Sequence, residues 1–128
     1  MLAVDTNVLV RLLAADDAAQ LARARATVEY GVWIASTVVL ETEWVLRSVY
    51  RLTPVQIADA FEGVAGLATV QFEHPDRLME ALSAVRQGMG FADALHRAAA
   101  NDCEAFVTFD EDLVRAAGRM PGVLTRQP

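Results

Sequence analysis

Short apolar runs alternate with longer segments in which apolar residues recur every three or four positions, and this alternation continues along the whole chain. The short runs are typical of strands and the periodic segments are typical of helices. The predicted strands are residues 2–5, 32–36, 68–73 and 105–109, with a last edge strand at 122–125. The predicted helices are residues 6–14, a segment from Asp16 or Asp17 to about Tyr30, and residues 37–50, 54–64, 75–88 and 91–100, with a short helix after Asp110.

Local signals support several helix ends. Gly31 stops the helix before it, and "TPVQ" at 53–56 combines a Thr N-cap, Pro in the first turn and Gln in the capping-box position. Regular alternation of strands and helices implies a largely parallel sheet. We therefore predict the α/β class, with a central mostly parallel sheet flanked by helices on both faces in a single domain spanning 1–128.

Two carboxylates follow predicted strands. Asp5 ends the first strand and Asp110 follows the fourth. Functional groups of an open parallel sheet gather beyond the carboxyl ends of its strands, so both acids are expected at the same edge. An unpaired charge between the apolar strand and the apolar helix around Asp5 would cost several kcal/mol, which suggests a bound partner.

Two further acids lie on predicted helices. Glu41 shares a helix face with Val38 and Val45, and that face is expected to pack on the core. No Arg lies three or four residues after Glu41 to pair with it. Asp93 lies in the first turn of the helix that begins near Phe91, where an acid suits the helix dipole. This end of the helix is expected at the same sheet edge.

Four carboxylates at one edge would repel one another unless a cation lay among them. Oxygen ligands without His or Cys favour Mg²⁺ or Mn²⁺ over Zn²⁺. Such a cation can orient a water molecule, lower its pKa and neutralise phosphate charge. The arrangement suits phosphodiester cleavage without a Ser, Cys or His nucleophile.

Each acid also has a structural interpretation. Asp5 and Asp110 are each suited to act only as helix N-caps. Asp93 has Arg97 four residues later, a common helical ion pair. No one of these acids identifies a site by itself, and it is their joint placement at one sheet edge that indicates one.

Other chemistry-bearing residues favour structural roles. Glu43 has Arg47 four residues later, which indicates a salt bridge. Asp112 is expected to be a solvated acid in the first turn of its helix, with metal binding as the alternative. Cys103, the only cysteine, is interpreted as a small core residue.

Composition narrows the classes of function. The 128 residues carry a net charge of −6, which disfavours a simple basic nucleic-acid binder but leaves room for a local Arg surface that holds phosphates. All eleven basic residues are Arg, so chemistry that needs a lysine is excluded. One cysteine excludes an intrachain disulfide, and no apolar run approaches a membrane span. A cytoplasmic protein is expected, without a membrane partner.

Four segments resemble, in order, the motifs of PIN-domain ribonucleases, with the nearest likeness to VapC toxins of bacterial toxin–antitoxin pairs. They are "VDTNVLV", "STVVLETEWVLR", "GFADALHRAAA" and "FVTFDEDLV", and the resemblance runs from Leu2 to about Leu124. It implies an endoribonuclease that depends on Mg²⁺, with Mn²⁺ as an alternative ion, and that acts on RNA. It also implies a homodimer and a cognate antitoxin that covers the acidic site.

The resemblance also assigns roles to residues. The four acidic positions of the family fall on the catalytic candidates Asp5, Glu41, Asp93 and Asp110. The metal ligands among them are Asp5, Asp93 and Asp110. The supporting positions fall on Thr6, Asn7 and Thr108, whose hydroxyl can brace the site. Because the chain has no Lys, Arg must supply every cationic phosphate contact.

Two other classes of function compete with this interpretation. A receiver-like domain would require a phosphate-binding Lys, which is absent, and a haloacid-dehalogenase-like phosphatase would have a second Asp where Asn7 stands. A non-catalytic module could use an acidic pocket to bind a partner's Arg. Four convergent acids argue against that module, because binding alone does not require them.

Overall fold

Five short strands and seven helices alternate along the chain in the computed structural model, which describes all 128 residues. This confirms the α/β class, and every strand pair is parallel. The chain divides into two units, Met1–Pro75 and Asp76–Pro128. The strands form two sheets, one of three strands and one of two, where the sequence predicts one central sheet. The single-domain organisation stays a prediction.

The first unit contains a three-stranded sheet with the order β1-β2-β3. Leu2 pairs with Val32, and Val32 pairs in turn with Val70. Its elements are β1 (Leu2–Ala3), α1 (Thr6–Ala14), α2 (Ala18–Tyr30), β2 (Val32–Ile34), α3 (Ser36–Ser48), α4 (Pro54–Ala65) and β3 (Val70–Phe72). Because the strands are parallel, their carboxyl ends lie at the same edge of the sheet.

Helix ends in this unit follow the sequence signals closely. Asp17 caps α2 by accepting from the Gln20 amide at 3.0 Å, and α2 ends at Tyr30, before Gly31. Thr53 and Gln56 form the predicted capping box at the start of α4. Each cap satisfies backbone N–H groups that the helix itself leaves unpaired.

The core-facing side of α3 differs from the predicted one. Val39, Thr42, Glu43 and Leu46 are buried, whereas Glu41 is exposed. The prediction that the Glu41 face packs on the core is therefore wrong. The stripe at 38, 41 and 45 does share one face, but the period alone does not say which of two adjacent apolar stripes is covered.

The second unit contains a parallel pair of strands. Phe106 pairs with Thr125, and Val107 pairs with Arg126. Its elements are α5 (Pro75–Arg86), α6 (Phe91–Ala99), β4 (Phe106–Val107), α7 (Glu111–Ala117) and β5 (Thr125–Arg126). Buried Arg97 ties the chain before β5 to α6: it donates to the Pro121 and Val123 carbonyl oxygens, both at 3.0 Å.

All strands are shorter than predicted, because regular pairing covers only two or three residues of each apolar run. The last strand begins at Thr125, where the sequence predicts it over 122–125. Cys103 is exposed, so its interpretation as a core residue is wrong. None of the helices combines the length and apolar character that crossing a membrane would require.

Candidate active site

Asp5 lies directly after β1 and caps α1. Its Oδ1 accepts from the Thr6 amide at 2.7 Å, and its backbone is extended. The side chain is exposed, so the expected desolvation of a charge between two apolar segments does not occur. Asp5 therefore caps α1 through Oδ1, and Oδ2 is left available to a ligand.

Thr6 connects α1 to α3. Its hydroxyl donates a short hydrogen bond to Oε1 of Glu41, and Thr6 itself is only 7 % exposed. Threonine in the first turn of α1 thus fixes the position of a carboxylate that is distant in sequence. A buried donor orients an exposed acceptor, so Glu41 is held without being desolvated.

The two carboxylates line one cleft of about 370 Å³, which we call the acidic cleft. Its polar lining consists of Asp5, Thr6, Asn7, Arg11, Glu41 and Tyr50. Valine side chains, among them Val10 and Val45, form the apolar part of its wall. Four residues predicted from the sequence, Asp5, Thr6, Asn7 and Glu41, are therefore brought together within the first unit.

Arg11 also lines this cleft, and the sequence analysis did not identify it as a site residue. Its Nη1 donates to Asp16 Oδ1 and to the Tyr50 hydroxyl, both at 3.1 Å, and Tyr50 donates to Asp16 Oδ2 at 3.0 Å. The hydrogen bond from Tyr50 lowers the pKa of Asp16 most, and a backbone hydrogen bond and then the Arg11 charge lower it further. The sequence feature that could have identified Arg11 as a site residue is that it is the only charged residue within the apolar run of α1.

Glu43 has a structural role, as predicted. It is 4 % exposed, and its Oε1 accepts from Arg47 Nε at 2.7 Å. The hydrogen bond to this carboxylate, together with its charge, raises the pKa of Arg47. The pair lies one turn apart on α3 and fixes Glu43 away from the acidic cleft.

In the second unit, Asp93 lies in the first turn of α6 and is half-buried. The alternative ion pair with Arg97 does not form. Arg97 Nε donates to Thr125 Oγ1 at 2.9 Å, and its two other nitrogens donate to backbone carbonyl oxygens. The carboxylate of Asp93 is therefore not neutralised by its helical neighbour.

Asp110 caps α7, as predicted, by accepting from the Leu113 amide at 3.0 Å. The Thr108 hydroxyl accepts from the Asp110 amide at 3.1 Å, which fixes the turn that carries the acid. Asp112 is exposed and forms an ion pair with Arg115 one turn later. This contact favours the solvated structural role for Asp112.

Glu73 is a further acid that the sequence analysis missed. It follows β3, and its Oε1 accepts from the Ser36 amide at 2.9 Å. The N-cap position of α3 is Ala35, which has no side chain able to cap the helix. Glu73 supplies the missing acceptor, and the available sequence signal was an acid placed directly after an apolar strand.

The donors of the acidic cleft fit a hard divalent cation. Asp5 and Glu41 contribute carboxylates, and no His or Cys lines the cleft. Magnesium sites commonly use one or two carboxylates and complete the shell with water and substrate phosphate. Within neither unit do three or more Asp, Glu, His or Cys side chains converge as a closed metal cage. The set in the first unit therefore suits an open site that shares its cation with a substrate.

Comparison with known proteins identifies one family. The PIN domain matches residues 2–119 of the 128. A search of curated proteins finds no match.

Proposed function

Because the chain belongs to the PIN-domain family, whose members are generally nucleases that use divalent metals, we propose that it is a Mg²⁺-dependent endoribonuclease, with Mn²⁺ as an alternative ion. The observation that carries the proposal is the acidic cleft. There a capping carboxylate, Asp5, and a carboxylate fixed by a buried threonine, Glu41, line the same opening.

The first unit's residues have distinct tasks in this proposal. Asp5 and Glu41 would hold the cation through oxygens that no backbone amide occupies. Thr6 keeps Oε1 of Glu41 in place, so that Oε2 can bind a cation or accept a proton from water. Asn7 lines the opening and can donate to a phosphate oxygen. A bound divalent cation would neutralise phosphate charge and lower the pKa of a water molecule.

The remaining catalytic acids are proposed from the sequence resemblance. "GFADALHRAAA" and "FVTFDEDLV" resemble the family's third and fourth acidic motifs, which assigns Asp93 and Asp110 as further metal-binding carboxylates. The Thr108 hydroxyl supports Asp110 by accepting a hydrogen bond from the Asp110 backbone amide.

The biological setting is proposed on the same basis. The likeness to VapC toxins suggests the toxin of a type II toxin–antitoxin pair, active in the cytoplasm as a homodimer and silenced by a cognate antitoxin. Induced expression of the wild-type chain should arrest growth of a bacterial host, whereas Asp5→Asn should not. Equal growth with both chains would contradict the toxin assignment and leave the nuclease proposal standing.

Cleavage of single-stranded RNA by the purified protein tests the catalytic proposal. Activity should be present with Mg²⁺ or Mn²⁺ and absent in EDTA, and it should return when Mg²⁺ is added in excess. Glu41→Gln, purified in parallel, excludes a contaminating ribonuclease. Cleavage that persists after complete chelation, or equally in Glu41→Gln, would contradict the proposal.

A further inference from the structure

A second cleft, which we call the α1–α2 cleft, adjoins the acidic cleft. It has a volume of about 370 Å³, and its polar lining consists of Asn7, Arg11, Gln20, Arg23 and Thr27. Asn7 and Arg11 also line the acidic cleft. The two clefts therefore share two residues of α1, Asn7 and Arg11.

The two clefts differ in charge. The acidic cleft is lined by two carboxylates and one guanidinium, whereas the α1–α2 cleft is lined by two guanidinium groups and no carboxylate. The chain as a whole carries a net charge of −6, so a cleft with two guanidinium groups and no carboxylate in its lining stands out. Guanidinium groups pair with phosphate oxygens in a two-pronged geometry, and Gln and Asn side chains add neutral donors.

The structure holds Arg11 in a fixed position while leaving part of it available. Its contacts with Asp16 and Tyr50 are made through Nη1. Nε and Nη2 are not engaged by these partners and can donate to a phosphate. Asp16 and Tyr50 therefore orient the guanidinium without using up its capacity as a donor.

We propose that the α1–α2 cleft binds the phosphate backbone of the RNA next to the bond that is cut, with Arg11 and Arg23 as its cationic contacts. This inference rests on the proposed nuclease function and adds the path of the substrate. The strand runs along α1 from the acidic cleft into the α1–α2 cleft. Arg11 contacts the phosphate nearest the carboxylates, and Arg23 contacts a phosphate further along.

Binding of a short fluorescein-labelled single-stranded RNA in EDTA, at several salt concentrations, tests the inference without cleavage. Arg23→Ala should weaken binding about two- to fivefold, the range for one exposed charge contact. It should also make the fall of the logarithm of the association constant with the logarithm of salt concentration less steep by about 0.7, the value for one phosphate on a single strand. Arg25→Ala is the matched control, because Arg25 lies on the same helix but lines neither cleft. It should leave both quantities unchanged.

Steady-state cleavage with Mg²⁺ separates the two arginines. Arg23→Ala should raise KM and keep kcat, because its phosphate lies away from the reacting bond. Arg11→Ala should lower kcat as well, and Arg11→Lys should restore part of the loss. Circular dichroism and melting of each variant show whether removal of Arg11 has disturbed α1.

The possible outcomes distinguish this inference from the proposed nuclease function on which it rests. If the wild type cleaves RNA but Arg23→Ala behaves like Arg25→Ala in both Kd and salt slope, the nuclease stands and the substrate path is wrong. If the wild type binds RNA with the predicted Arg23 dependence but never cleaves it, the proposed function fails and the binding surface remains. Equal weakening by Arg23→Ala and Arg25→Ala would mean diffuse electrostatics and would also overturn the inference.

Discussion

Two glutamates on α3, two positions apart, have opposite environments. Glu41 is exposed and lines the acidic cleft, where its only orienting contact is the Thr6 hydroxyl. Glu43 is buried and paired with Arg47. Both are acids on one helix, so residue type and propensity do not separate them. Their partners do: a neutral donor leaves a carboxylate able to bind a cation, whereas a guanidinium one turn away occupies it.

The largest expected effect is on activity at the cleft. Asp5→Asn and Glu41→Gln should each reduce kcat/KM by about a hundredfold or more, because the charge that holds a cation is removed. Asn caps a helix as well as Asp, so Asp5→Asn should melt near the wild type. Glu43→Gln, tested beside them, should keep most of the activity. If Glu43→Gln were as inactive as Glu41→Gln while remaining folded, the contrast between the two glutamates would be wrong.

The next largest effect is on stability and comes from the Glu43–Arg47 pair. Arg47→Ala leaves the Glu43 carboxylate buried and unpaired, and should lower the free energy of unfolding by about 2–3 kcal/mol. Glu43→Gln removes the buried charge itself and leaves Arg47, whose side chain is 52 % exposed, to be hydrated. It should therefore cost less than Arg47→Ala. Urea unfolding of both variants measures the difference, and equal losses would show that Glu43 is not effectively desolvated.

Thr6 tests whether Glu41 needs its orienting partner. Thr6→Val keeps the shape of a side chain that is 7 % exposed but removes the donor to Glu41, and should lower the rate constant of the cleavage step about tenfold. Thr6→Ser restores a hydroxyl and should recover most of that loss. The measurement is single-turnover RNA cleavage at saturating Mg²⁺. Failure of Ser to rescue, with both variants folded, would assign Thr6 to packing alone.

The smallest effect is the pH dependence of the Arg11 network. The pKa of Asp16 is lowered in the folded protein, mainly by the hydrogen bond from Tyr50, with smaller contributions from a backbone hydrogen bond and the Arg11 charge. A lowered pKa stabilises the fold above the ordinary carboxylate range, and this contribution is lost as pH falls through the folded-state value. The difference in Tm between wild type and Asp16→Asn should therefore be constant near neutrality and shrink below about pH 4. A difference that grew on acidification would have the wrong sign.

Local chemistry explains which parts of the structure could be predicted. The residues that cap α2, α4 and α7 directly precede these helices in the sequence, so the sequence predicts the caps directly. The Glu43–Arg47 pair is equally local, at one helical turn. The carboxylate of Asp5 directly follows β1 and caps α1, so its position is equally local.

The features that could not be predicted depend on contacts between residues that are distant in the sequence. Neighbouring helices determine whether α3 buries the face with residues 39, 42 and 46 or the face with residues 38, 41 and 45. Periodicity alone does not distinguish the two faces. The Arg11 network joins α1 to Tyr50, and Glu73 caps α3 from the end of β3. In each case the partner is more than thirty positions away, so no spacing rule could pair them.

The most direct test of the account is cation binding by the acidic cleft, measured by titrating Mn²⁺ into wild type, Glu41→Gln and Glu43→Gln in the absence of RNA. Electron paramagnetic resonance reports free Mn²⁺, so the readout is independent of activity. The expected result is that Glu43→Gln binds Mn²⁺ like the wild type and that Glu41→Gln binds at least about tenfold more weakly. Wild-type affinity in Glu41→Gln, or loss of binding in Glu43→Gln with the fold intact, would contradict it.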